Sequence, residues 1–190
     1  MVIRVTLIAA ALVVLTACIG QQPAATREIL DEQTGNTLFV AAKPLMFARE
    51  RTDVAAHARD YVSLTAVAVN ESGKYSDYLL AYRWSTVDRR MSPLPEPSAG
   101  ELRILADERM IGLEPLPSIP ADLVSQAQFR APNHGDAVVY AYKVDLPTLR
   151  FIAASRSLSL RLPREALDTP FGLWRDGRSD LARFAEAGGR

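Results

Sequence analysis

Apolar and polar side chains alternate with a period of two along most of this chain, and that spacing predicts strands rather than helices. Tyr78, Leu80, Tyr82 and Trp84 fall on one side of such a segment, with Leu79, Ala81, Arg83 and Ser85 opposite. Val138, Tyr140, Tyr142 and Val144 repeat the design, and Leu158, Leu160 and Leu162 alternate with Ser157, Ser159 and Arg161. Tyr61–Val69 joins Tyr75–Val87 across "NESGK", where Asn70, Ser72 and Gly73 are turn formers, so a β-hairpin is expected. "ELRILADERMIGL" predicts a second hairpin, with Leu102–Leu105 and Met110–Leu113 turning near Asp107 and Glu108. Thr37–Ala41 and Leu45–Ala48 flank Lys43-Pro44, where proline predicts a bend or an edge strand.

Helical signals are short. Asp145 is placed to cap "LPTLRFIAAS", with Pro147 tolerated in the first turn and Leu146, Leu149 and Ile152 on one side. Ser179 is placed to cap "DLARFAEA", ended by Gly188-Gly189. "DVAAHARDY" reads either as a helical turn or as the lead-in to a strand. Hairpins without βαβ alternation predict a mainly β fold, an antiparallel β-sandwich with two short helices; an α+β fold with one antiparallel sheet is the alternative. The proline-rich stretches at 91–100 and 115–123 read as loops.

The first residues follow another rule. Arg4 and the α-amino group precede an apolar run, Val5 to Leu15, of the length of a signal-peptide core and too short to span a bilayer, which takes about 20 residues. The run ends in Leu15-Thr16-Ala17-Cys18, and Cys18 is the single cysteine of the 190 residues. This quartet resembles a bacterial lipobox. The resemblance covers only this leader, and it implies cleavage before Cys18, a diacylglycerol on its sulfur and acylation of the new α-amine. Ile19, where an aspartate would act as an inner-membrane retention signal, implies transfer to the outer membrane, facing the periplasm. Two or more acyl chains hold a protein stably where one holds it marginally. The expected organisation is therefore a signal peptide over 1–17, a lipidated start and flexible tether over 18–28, and one β-rich domain over 29–190. Beyond the leader, "TGNTLFVAAKPLMFARE", "ARDYVSL" and "YLLAYRWSTVDR" resemble small uncharacterised envelope lipoproteins of bacteria, which implies no activity.

Composition narrows the partners. Lysine plus arginine number 22 and aspartate plus glutamate 22, with no basic stripe, so nucleic acid is not an expected ligand. No second cysteine exists to form a disulfide, and apolar burial has to supply the stability. The expected partners are membrane lipid, through acylated Cys18, and an envelope protein; no cofactor is expected.

Candidate chemistry is sparse. His57 and His134, with Asp53 and Asp136, are the raw material for a metal or acid–base site, yet no metal-ligand spacing joins them. No nucleophile motif such as G-x-S-x-G occurs. Arg49, Arg51, Arg89 and Arg90 read as solvated loop charge, with an arginine-lined patch for an acidic partner as the sharper option. The tyrosine and tryptophan stripes read as core rather than as a ligand groove. "PFGLWRDG" lies outside any clear strand pattern, and Phe171, Leu173 and Trp174 there are the candidate partner contact. The chain is thus expected to be a non-catalytic binding or structural module of the envelope. The alternatives are a carrier of lipid or another hydrophobic ligand, which demands an internal cavity, and, less favoured, a hydrolase using His57 or His134.

Overall fold

The computed structural model describes residues 26–87, 101–124, 137–162 and 169–188. Ten strands form one antiparallel sheet: β1 (Thr26–Leu30), β2 (Thr37–Ala41), β3 (Leu45–Glu50), β4 (Arg59–Glu71), β5 (Lys74–Ser85), β6 (Leu102–Ala106), β7 (Arg109–Leu113), β8 (Val138–Lys143), β9 (Leu158–Arg161) and β10 (Phe171–Arg175). Two helices, α1 (Leu146–Ala154) and α2 (Arg178–Ala187), and a helical turn at 121–124 accompany it. The mainly β antiparallel expectation holds. Two facing sheets of a sandwich are not formed among the described residues, and the single sheet is closer to the alternative reading.

The register shows why. β4 pairs with β5 from Asp60 to Glu71, which occupies one of its edges along nearly its whole length. β2 and β3 must therefore share the other edge, β3 against Arg59–Leu64 and β2 against Val67–Asn70. The sheet forks at Thr65 and Ala66. One branch is the β1–β2 hairpin; the other continues through β3, β10, β9 and β6 to β7. On the opposite side β5 carries β8. The two far ends come together at an isolated antiparallel bridge between Pro115 and Tyr142, beside a 2.8 Å bond from Leu116 N–H to the Ala141 carbonyl.

Coiling buries both faces of the central strands. Inward positions of every strand from β3 to β10, among them Phe47, Leu64, Leu79, Ile104, Leu113, Tyr142, Leu160 and Phe171, join one apolar cluster. Leu149 and Ile152 of α1 and Leu181, Phe184 and Ala185 of α2 complete it. Leu38, Val40, Val67, Leu80, Tyr82 and Trp84 form a second cluster on the other face, covered by Leu116, Ile119 and Leu123. The strict alternation of β5 thus separates two cores rather than core from solvent. The aromatic stripes are core, as expected: Tyr82 and Tyr142 are each 1% exposed, and Tyr61 stacks on Trp84 with centroids 5.2 Å apart.

Local signals explain the element ends. The β4–β5 turn uses left-handed Ser72 and Gly73, and Gly73 N–H bonds to the Asn70 side chain. Asp145 caps α1 by accepting from Thr148 N–H at 2.9 Å. α2 begins one residue before Ser179, with Gly177 rather than Ser179 as its cap residue, because Asp176 already accepts the Arg178 N–H. Gly177 is also required by contact: a Cβ there would lie 2.4 Å from the Pro44 carbonyl oxygen. The ordered fold reaches back to Thr26, into the stretch 18–28 read as tether, because β1 completes β2's free edge with only Ile29 packed against the apolar cluster behind it. Gly177→Ala is expected to cost about 1–3 kcal/mol, the penalty of overpacking. Gly112→Ala, with nothing within 4 Å of the new methyl, should stay within about 0.5 kcal/mol. Urea unfolding midpoints of the two variants test the contrast.

Candidate functional site

Most of the unusual chemistry gathers where β3, β4 and β10 meet. Arg49, near the end of β3, lies directly opposite Asp60, near the start of β4. Period two places Arg49 on the same face as Leu45 and Phe47, and Asp60 on the same face as Val62 and Leu64, so the pair points inward. Arg49 Nε and Nη2 both donate to Asp60 Oδ2, at 3.1 and 2.8 Å. Arg51 donates through Nη1 to both Asp60 oxygens and through Nε and Nη2 to Asp53. Arg49 and Arg51 are each 8% exposed and Asp60 is 3% exposed. The two arginines are therefore buried, in place of the solvated loop charge read from the sequence; Arg89 and Arg90 lie outside the described residues.

Hydrogen bonding to Asp53 pushes the Arg51 pKa up against the opposing effect of burial. The reciprocal bond from Arg51 holds Asp53 below the usual carboxylate range. Asp60 accepts from both guanidiniums, so the cluster is an ionic brace between the end of β3 and the start of β4.

β10 lies over this brace. Arg49 stacks over Phe171, with its Cζ 4.4 Å from the ring centroid. Phe171 is 1% exposed and belongs to the core, and Leu173 is half-buried and packs against the same cluster. The register of β10 on β3 breaks between Leu173, opposite Phe47, and Arg175, opposite Met46. Trp174 is the extra residue. Such a bulge leaves one residue unpaired and re-aims its side chain, and Trp174 is 50% exposed. Arg59 covers it with its Cζ 4.6 Å from the centroid and is itself held by Glu50 at 3.1 Å. Glu50 first of all raises the Arg59 pKa. Together with Gly172 these residues line an open recess of about 160 Å³.

The expected partner-contact residues are therefore brought together on one strand, but only Trp174 faces mostly outward. "PFGLWRDG" hid a strand because Gly172 and the bulge interrupt its alternation. The sequence reading missed the Arg49–Asp60 pair, although alternation in "LMFARE" and "RDYVSL" placed both on apolar faces.

His57 is exposed in the turn between β3 and β4 with a φ of +66°, and His134 and Asp136 lie outside the described residues, as does Cys18. Among the described residues no three His, Cys, Asp or Glu side chains are grouped to hold a metal, and no helix is long and apolar enough to cross a membrane. The wholly apolar pocket, between Phe39, Tyr75 and Phe184, has room for only about 10 Å³. That is at most one water, far below the several hundred Å³ of a small-molecule site. No protein-family model, curated protein or solved structure matches the chain.

Removing Asp60 takes from buried Arg49 the carboxylate it bonds twice and leaves Arg51 to Asp53, so Asp60→Ala is expected to cost about 3–5 kcal/mol, whereas Asp53→Asn costs far less. Chemical denaturation of both variants at neutral pH decides it. Burial at Asp77 works in the opposite direction and raises its pKa. The folded state then holds that proton more tightly than the unfolded one, so Asp77 destabilises the fold as pH rises past the ordinary carboxylate range. Asp77→Asn is expected to raise the melting temperature at pH 7, with the gain vanishing near pH 3; an equal gain at both values would refute the assignment.

Proposed function

We propose that this protein is a membrane-anchored envelope lipoprotein whose β-rich body is a non-catalytic binding module, with its partner contact centred on Trp174. The observation that carries the contact is the bulge. A strand lying between β3 and β9 turns one large aromatic outward, with Phe171 and Leu173 packed into the core beside it and an arginine against its face. Aromatic anchors flanked by arginine are the residue types that dominate protein interfaces. The alternative of a lipid carrier would need a larger apolar pocket than the one of about 10 Å³ between Phe39, Tyr75 and Phe184.

The anchor rests on Leu15-Thr16-Ala17-Cys18, with acyl chains on Cys18 placing the protein in the outer membrane, facing the periplasm. Because β1 starts at Thr26, the eight residues from Cys18 span at most about 28 Å, which keeps the domain close to the bilayer surface. An envelope protein within that distance is the partner class proposed.

Two measurements test the proposal. Palmitate is expected to label the wild type and not Cys18→Ser, and equal labelling would remove the anchor. Chemical crosslinking in native membranes is expected to yield a discrete partner adduct that Trp174→Ala loses while its melting temperature stays near that of the wild type. An unchanged adduct would remove the contact.

A further inference from the structure

The outer edge of β7 is a second surface with a readable chemistry. Asp107 and Glu108 form a two-residue loop closed by the Ala106–Arg109 pair. In such a hairpin the closing pair exchanges both backbone hydrogen bonds, and bonded and non-bonded pairs then alternate. Ile111 and Leu113 therefore bond to β6, while Met110 and Gly112 turn their N–H and C=O groups outward. Among the described residues no other strand pairs with β7.

That edge forms one wall of a groove. Opposite it stand Lys143, Asp145, Thr148 and Phe151, at the end of β8 and the start of α1. The wider part has a volume of about 370 Å³, and the part nearest Leu113 about 320 Å³. Beyond Leu113 the chain reaches the Pro115–Tyr142 bridge, where the two ends of the sheet meet. Met110 is 48% exposed on its rim, and Gly112 has no side chain to block approach, with nothing within 4 Å of where a Cβ would stand.

We propose that this groove binds an extended peptide segment of a partner protein by strand addition to β7. Outward amide and carbonyl groups in alternation are complementary to another extended backbone. The β7 edge offers about 17 Å, five residues at roughly 3.4 Å each. Charge selects the side chains: Arg109 stands over Phe151 at one end and Lys143 is exposed at the other, so the lining keeps a net positive charge against the single carboxylate of Asp145, which accepts from Thr148 N–H. The segment should therefore carry an aspartate or glutamate. A second copy pairing antiparallel through the same edge would bring Arg109 of each chain towards Lys143 of the other, which disfavours self-association. This deepens the binding-module reading and rests on it, but involves neither Cys18 nor β10.

The test is selection of random seven-residue peptides, displayed on phage, against the full chain in detergent micelles, followed by fluorescence anisotropy with the recovered peptides. Recovered sequences are expected to alternate apolar and polar residues and to carry at least one acidic side chain. Gly112→Pro, which removes an outward donor without touching the β6 ladder, should weaken binding at least tenfold; Gly112→Ala should retain it. Methylating alternate amides of the peptide should abolish binding to the wild type, a readout independent of how any variant folds. Failure to recover a peptide would overturn the proposal, as would equal binding to Gly112→Pro. A concentration-dependent dimer abolished by Gly112→Pro would also overturn it, by assigning the edge to a second copy. None of these outcomes touches acylation at Cys18 or the Trp174 contact.

Discussion

β4 has two edges and three partners, and the rest of the architecture follows from that. With β5 along one edge, β2 and β3 divide the other, and a flat sheet cannot satisfy both. The strands diverge at Thr65 and Ala66 and the larger branch coils away, carrying β10, β9, β6 and β7 around a shared interior. Coiling puts inward side chains of nine strands, β2 to β10, into one cluster and leaves the other face of β4 and β5 to be covered separately. β4 is consequently buried on both faces from Val62 to Val69, which is why that run contains no charged residue.

A coiled sheet has an interior that ends, and the ionic brace stands at one such end. Continuing the inward row of β3 past Phe47 and of β4 back past Val62 brings Arg49 and Asp60 together. Desolvating these charges is expensive, and the cost is offset only because the register sets donors against acceptors within 3.1 Å. The same brace stacks on Phe171 and so fixes the strand whose bulge turns Trp174 outward. Burial at one residue and exposure three residues later are thus parts of a single arrangement.

The sheet's ends differ in the same physical terms. β8 is covered on its outer edge by the 115–119 segment, which bonds to Ala141 and folds over the second cluster. β7 has no such cover among the described residues, and the start of α1 leaves a wedge between them. The described residues thus present two differently built outer surfaces, an aromatic one on β10 and a backbone one on β7.

Local chemistry was enough to read the hairpins, the Asp145 cap and the core character of Tyr82 and Tyr142. Each depends on near neighbours in sequence: a side-chain period, a capping oxygen, a turn glycine. Period two also sorts residues into faces, and it sorted β5 correctly. It does not say which strand lies beside which, so two sheets and one forked sheet looked alike. It does not say whether the second face meets water, so Arg49 and Arg51 read as solvated although packing buried them. The bulge at Trp174 shifts alternation by one residue and erased the strand signal of β10. Pairing partners, the fork and the direction of Trp174 are set by contacts far apart in the chain, and only the folded sheet decided them.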